Sequence, residues 1–274
     1  MNLAPYRVTS TLACADGPLR GVAEMVLAGR NAAPAASALT LSAPTPEPGD
    51  VTRALALPPP RDLSGGSRSL ASAIVGRRSG SLTPGPLDAA TLAALLAAVD
   101  DTPGLMPDAS FAPVLHPAIF AVDAVPAGTY RYARDAHALL PIRDVTRETV
   151  ARAALLQHEH GTGAAVLFLV MPLSRWLLTY GDRGYRGAAF AAGAWTDRLY
   201  LVAETLGLTY TATGGFAPSV VDDLLGLDGC ERTAFFAFAV GGPRRVTPRV
   251  TPRVAPHATQ GSVPPTADRA GGRV

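Results

Sequence analysis

The sequence predicts an α+β domain: a mixed β-sheet flanked by helices, with one long helix buried at its centre. Three observations predict it. Short apolar runs at 118–125, 165–171, 208–212 and 233–240 have strand length, yet they do not alternate regularly with helices as a doubly wound parallel sheet requires. A helical periodicity over 185–206 carries the small residues Ala188, Ala189, Ala191, Ala192 and Gly193, which permit close packing of a helix on its neighbours. Apolar residues make up 48% of the 274 residues and charged residues 17%, enough to bury a sizeable core.

Each element follows in chain order. Residues 1–66 are rich in Ala, Pro, Ser and Thr and include Pro58-Pro59-Pro60, which suits an extended arm or linker with at most a short helix over 19–27. The periodic signal is concentrated in 67–243. A short helix is expected over 69–76, with Leu70, Ala73 and Ile74 on one side. Asp88 is placed to cap a helix running through Thr91, Leu92, Leu95, Leu96 and Val99. A strand is expected over 118–125 and a hairpin over 129–142, with Tyr130 and Tyr132 at period-two spacing. An amphipathic helix over 146–157, a buried strand over 165–171 and the long helix come next. A strand over 208–212, a short helix over 218–225 with proline in its first turn, and a strand over 233–240 complete the domain. From 244 to 274 the chain repeats Val-Thr-Pro-Arg and has no face to bury, so a disordered tail is expected.

Composition excludes several functions. The formal net charge is +2 and scattered, which does not make a nucleic-acid surface. All 24 basic residues are arginine, a bias that a GC-rich coding sequence explains. Cys14 and Cys230 form neither a zinc spacing nor a disulfide framework, in keeping with a reducing cytosol. The first residues lack a basic segment followed by an apolar one, and the longest apolar run, 164–172, falls short of the ~20 residues of a membrane span. A cytoplasmic protein is expected, with neither nucleic acid nor membrane as partner. No phosphate-binding GxxxxGK[ST] loop, GxGxxG turn, GxSxG elbow or HExxH pair occurs. His158-Glu159-His160 invites a metal, but residues two apart do not share a helix face, and solvated imidazoles at a helix end are the expectation. No metal site is expected.

Four motifs remain. Arg77-Arg78-Ser79 closes the first helix with two guanidinium groups and a hydroxyl, a donor set suited to phosphate. The run Thr179-Tyr180-Gly181-Asp182-Arg183-Gly184-Tyr185-Arg186 marks a loop-to-helix junction dense in polar groups, and it serves either chemistry or the tethering of the helix. Gly214-Gly215-Phe216 follows a strand and precedes Asp222-Asp223-Leu224-Leu225-Gly226-Leu227-Asp228, and glycines there let backbone approach a flat ligand. Gly241-Gly242-Pro243-Arg244-Arg245 ends the last strand.

The order of these motifs, together with the hairpin Gly128-Thr129-Tyr130-Arg131-Tyr132 and His137-Ala138-Leu139, resembles the SagB-type branch of the nitroreductase family over residues 55–245. The resemblance implies an α+β nitroreductase-like fold, a homodimer, and FMN bound between subunits. It also implies oxidation of peptide azolines, rings formed from Cys, Ser or Thr by a cyclodehydratase, to thiazoles or oxazoles. Carried onto this sequence, it places Arg77, Arg78 and Ser79 at the FMN phosphate and ribityl chain, with Ser81 also binding the cofactor. Gly214 and Gly215 fall beside the ring, and Gly242 and Arg245 near the phosphate. Tyr180 becomes the base that takes the ring-carbon proton. With a reference pKa near 10, a tyrosine in that role needs a nearby positive charge.

Three positions depart from the family pattern. Thr179 stands where this branch has lysine beside the tyrosine. Ser110-Phe111-Ala112-Pro113 stands for Pro-Ser-Ala-Gly, so a close-approach glycine and its N–H are lost to proline. Gly80 and Ser81 stand where a further basic or polar side chain faces the flavin. Two other readings stay open: a flavin-poor, non-catalytic subunit or peptide-binding partner of a biosynthetic complex, and a flavoenzyme acting on small nitro or quinone substrates.

Overall fold

A computed structural model describes residues 47–63, 69–98 and 109–244. The helix expected over 19–27, Cys14, Arg245 and the tail beyond it lie outside the described residues. The chain divides after Arg244, and the described residues all precede that point.

Among the described residues seven strands form one sheet in the order β1-β4-β3-β2-β5-β7-β6. These are β1 (Leu55–Ala56), β2 (Val114–Ile119), β3 (Gly128–Ala133), β4 (Ala138–Arg143), β5 (Ala165–Met171), β6 (Leu208–Thr213) and β7 (Thr233–Pro243). All pairings between them are antiparallel, and the one parallel contact among the described residues is the isolated bridge between Leu87 and Val122. The continuous apolar run of β5 has its physical reason in this order. It lies between β2 and β7 and is buried at every position, because both faces of the sheet are covered there. Leu167, Leu169 and Met171 join one apolar cluster, and Val166, Phe168 and Val170 the other, following the two-residue period of a strand.

Among the described residues six α-helices flank the sheet: α1 (Leu70–Gly76), α2 (Ala89–Ala97), α3 (Arg147–Thr149), α4 (Leu173–Tyr180), α5 (Arg183–Thr205) and α6 (Pro218–Leu225). Ser69 and Asp88 cap α1 and α2 by accepting the N–H groups of Ser72 and Thr91. The long helix is α5. It lays Ala188, Ala191, Ala192, Trp195, Leu199 and Ala203 on the first cluster, while Phe190 on its far side is 76% exposed. Small residues bring it close to α4: a Cβ at Gly187 would stand 2.6 Å from the Trp176 ring. Gly181, at φ +59°, makes the elbow between the two helices.

Several boundaries differ from the sequence expectation. The strand expected over 118–125 is Val114–Ile119. It ends there because the N–H groups of Phe120 and Ala121 both turn to the Ala164 carbonyl, at 2.9 and 3.0 Å. The helix expected over 146–157 is α3 continued by a π turn, Val150–Ala154, after which Leu155 bridges to Phe216. Local packing explains the distortion. A Cβ at Gly161 would lie 2.4 Å from that of Ala151, and the His158 ring bonds to the Ala151 carbonyl at 2.8 Å. Arg147 gathers the segment by donating to the carbonyls of Gly161 and Gly163. His160 is buried rather than solvated, its Nδ1 unpartnered among the described residues, and burial lowers its pKa. Part of the stretch expected as an arm supplies β1, with Leu55 opposite Leu139.

Asp222 ties α6 to β7. Its carboxylate accepts the Ala234 N–H at 3.1 Å and the Thr233 hydroxyl at 2.9 Å, and burial raises its pKa. Asp222→Asn keeps one acceptor and replaces the other with an amide NH2, so one of these two bonds is lost as it stands. A loss of about 2 kcal/mol in a urea melt is expected.

Candidate functional site

The site is built on the C-terminal end of α5, where Tyr200 and Glu204 stand one turn apart on the same side of the helix. Beside them, α1 ends at Arg77, whose N–H closes the last turn on the Ala73 carbonyl at 3.0 Å. Beyond it the chain runs without regular structure past the edge strand β6. The Arg77 guanidinium lies 4.9 Å from the centre of the Tyr200 ring. The Tyr200 hydroxyl is 2.8 Å from Ser79 Oγ and accepts the N–H of Ala212 in β6 at 3.0 Å. One phenol thus fastens the Arg-Arg-Ser turn to the edge of the sheet.

A turn further along α5, Glu204 is fully buried. Its Oε2 accepts the Tyr210 hydroxyl at 2.5 Å and Arg244 Nη2 at 2.7 Å, and its Oε1 accepts Arg244 Nη1 at 3.2 Å. The Arg244 N–H donates to the Gly207 carbonyl at 2.7 Å, so main chain and side chain are both fixed. Burial, and then the bond to Glu204, push the Tyr210 phenol up, while Glu204 raises the Arg244 guanidinium. These groups border a cavity of about 520 Å³ with Arg78, Ser79 and Ser81 on its other side. Two guanidinium groups against one carboxylate leave the cavity positive.

The structure gathers some of the residues singled out from the sequence and separates others. Arg78, Ser79 and Ser81 line the cavity, and Arg77 stands next to it on Tyr200. Gly242 is spent on the chain itself, its N–H donating to the Thr83 carbonyl at 2.8 Å and its carbonyl accepting the Thr209 hydroxyl at 3.0 Å. The tight contact belongs to its neighbour, since a Cβ at Gly241 would stand 2.6 Å from the Thr83 carbonyl oxygen. Gly214 and Gly215 follow the end of β6, two and three residues beyond Ala212, and are not among the residues lining the cavity. The Gly215 N–H bonds to Thr213 Oγ1 at 2.8 Å and its carbonyl accepts the Leu156 N–H at 3.1 Å.

Tyr180 stands apart from this cluster. Its ring lies 5.8 Å from those of Phe111 and Trp176, at the elbow before α5. The 17-residue step from Arg183 to Tyr200 spans about 26 Å at the helical rise of about 1.5 Å per residue. Tyr200, Glu204 and Tyr210 do not stand out in the sequence, whereas Arg244 belongs to the terminal Gly-Gly-Pro-Arg-Arg motif, beside the Arg245 expected near the phosphate. No local pattern sets Glu204 apart, because the same helix also carries Asp197 and Arg198. Among the described residues no three His, Cys, Asp or Glu side chains cluster to hold a metal, and no helix is long and apolar enough to cross a membrane.

The nitroreductase family model matches residues 74–242, more than half of the chain, from α1 to the end of β7. The chain belongs to the nitroreductase family. A Methanocaldococcus jannaschii protein named as a nitroreductase is 30% identical over 105 residues, which are 38% of this chain and 53% of that one. A crystal structure from Anabaena variabilis assigned as a nitroreductase is 28% identical with a TM-score of 0.58, covering 64% of this chain and 38% of that one. The chain therefore spans about half the length of the curated relative and less of the cyanobacterial one. The E. coli microcin synthetase McbBCD complex with truncated pro-MccB17 bound contains a chain of the same fold. That match has a TM-score of 0.51 and 18% identity, covering 85% of this chain and 96% of that one.

Proposed function

We propose that this nitroreductase-family chain is an FMN-dependent oxidoreductase that dehydrogenates azoline rings in a modified precursor peptide to thiazoles or oxazoles. The observation that carries the reading is the positive cavity between Arg78, Ser79, Ser81 and Arg244. Its two guanidinium groups and two hydroxyls are the donor set that recognises a phosphate monoester, and its volume suits a cofactor site. Arg78, Ser79, Ser81 and Arg244 would hold the phosphate end, with Arg77 adding positive charge beside it. Gly214 and Gly215 continue along the edge of β6 from the strand residue that Tyr200 links to Ser79. When bound, FMN supplies a two-electron acceptor.

The remaining chemistry falls to side chains of this protein. Tyr180 Oη would take the ring-carbon proton of the azoline. Its distance from the phosphate cavity along α5 calls for a homodimer in which one subunit brings Tyr180 to the flavin held by its partner. Exposed Leu70, Ile74 and Val75 on α1 and Phe190 on α5 are apolar groups that a second subunit would cover. The peptide substrate and association with a cyclodehydratase are supported by the order of the sequence motifs. A same-fold chain within a synthetase complex that has a pro-peptide bound is consistent with both.

A second reading, a flavin-poor subunit of such a complex, is favoured by Thr179 and Pro113. Neither supplies the cation or the backbone donor found at those places in the azoline-oxidising branch. Purified protein that is yellow and releases near-stoichiometric FMN supports the enzyme; colourless protein that refuses FMN supports the subunit. In the enzyme, Tyr180→Phe is expected to slow azole formation on an azoline peptide about 100-fold, the usual scale for loss of a general base. Unchanged turnover removes Tyr180 from the reaction.

A further inference from the structure

The fully buried Glu204 has no part in the chemistry proposed above, yet it grips one of the two guanidinium groups of the cavity. A carboxylate withdrawn from water is tolerable only when opposite charge and hydrogen bonds replace its hydration. Here Arg244 supplies a two-pronged contact and Tyr210 a third bond. The arrangement works in both directions. An arginine on a long flexible stem would sample many positions at a cavity wall, and a buried fork reduces them to one. The guanidinium has five N–H donors; two go to Glu204 and one reaches the Leu208 carbonyl at 3.5 Å, which leaves others for a ligand.

We propose that Glu204 is a positioning residue for phosphate recognition, holding the Arg244 guanidinium at the cavity wall beside Arg78, Ser79 and Ser81. Tyr200, one turn earlier on α5, fixes Ser79 and Arg77 in the same manner. The end of α5 thus sets the donors on both sides of the cavity. This inference rests on the reading of the cavity as the phosphate end of a flavin site. Glu204 contributes to binding only through Arg244, because its own charge opposes an anion.

The test compares FMN with riboflavin, which differs by the phosphate alone, using flavin fluorescence titrations of the full-length apoprotein. The wild-type protein is expected to bind FMN more tightly than riboflavin. Glu204→Gln keeps the side chain's shape but weakens the fork, and is expected to reduce FMN affinity tenfold or more while riboflavin affinity stays within twofold. Equal or tighter FMN binding by the variant overturns the proposal, since Glu204 would then merely repel the phosphate. Equal loss of both flavins also overturns it, because the role would be structural. If circular dichroism shows that Glu204→Gln does not fold, Arg244→Lys takes its place. That variant keeps the charge without the fork and must show the same selective loss; retained FMN affinity overturns the proposal. Folded wild-type protein that binds neither flavin refutes the flavin reading itself, and the inference falls with it.

Discussion

Gly184→Ala is expected to destabilise the protein by about 4 kcal/mol or more, enough to leave much of it unfolded at 37 °C. Gly184 lies in the first turn of α5, directly against α4. A Cβ there would stand 2.2 Å from the Trp176 carbonyl oxygen, 2.4 Å from its carbon and 2.8 Å from the Leu177 nitrogen. All three are backbone atoms of a regular helix, so no side chain can swing aside to make room. The methyl group is accommodated only by parting the two helices. Parting them also strips Trp176 from Gly187 and strains the bond from its indole N–H to the Phe111 carbonyl, 3.3 Å long. A thermal or urea melt measures the loss, and a wild-type midpoint would contradict the packing described. Gly193→Ala is the control on the same helix. Nothing lies within 4 Å of the added atom, and the helical backbone gains about 0.5–1 kcal/mol from losing a glycine.

Acid sensitivity is the second large effect, and His116 is its source. The imidazole sits in the middle of β2 opposite Phe168, is 1% exposed, and its Nε2 has no partner among the described residues. Burial lowers its pKa from 6.5 to about 3, opposed in part by the bond to the Val114 carbonyl and aided slightly by the charges of Arg131 and Arg232. In the unfolded chain the ring takes up a proton below pH 6.5, while in the folded protein it stays neutral down to about pH 3. The unfolded state therefore binds more protons between those values, and stability falls as pH falls through that window. By pH 4.5 the loss from this one group is about 3 kcal/mol. His116→Leu removes the titration. The difference in unfolding free energy between pH 7 and pH 4.5, measured by urea melts, is expected to shrink by that amount. Equal pH dependence in the two proteins would show that the ring is solvated.

Much of the fold was legible because its signals are local. Residues Ala165–Met171 form an unbroken apolar run, as a strand covered on both faces requires. Asp88 caps α2 through hydrogen bonds that lie within three residues of it. Pro218 opens α6 and Gly226 closes it in a left-handed turn, a pairing visible in the sequence. The failures share a different physics. Leu55–Ala56 becomes a strand only because β4 offers an edge, and no pattern in two residues announces it. The stretch 146–157 has a helical pattern, but contacts with Gly161 and Phe216, distant enough to escape a local window, distort it. The candidate site divides in the same way. Arg77, Arg78 and Ser79 stand out as a cluster in the chain. Glu204 and Tyr210 gain meaning only when Arg244 arrives from 40 residues away in the first case. The arginine bound in the cavity is Arg244, while its neighbour Arg245 lies outside the described residues.

The elbow between α4 and α5 has a practical corollary. The protein contains two tryptophans, and they occupy unlike surroundings. Trp195 is sealed between helix and sheet, while Trp176 packs on Tyr180 and Phe111 at the start of α5. A Trp195→Phe protein would carry a single indole, and its emission would give a built-in optical report on the corner that holds Tyr180. Events there would be followed without any added dye.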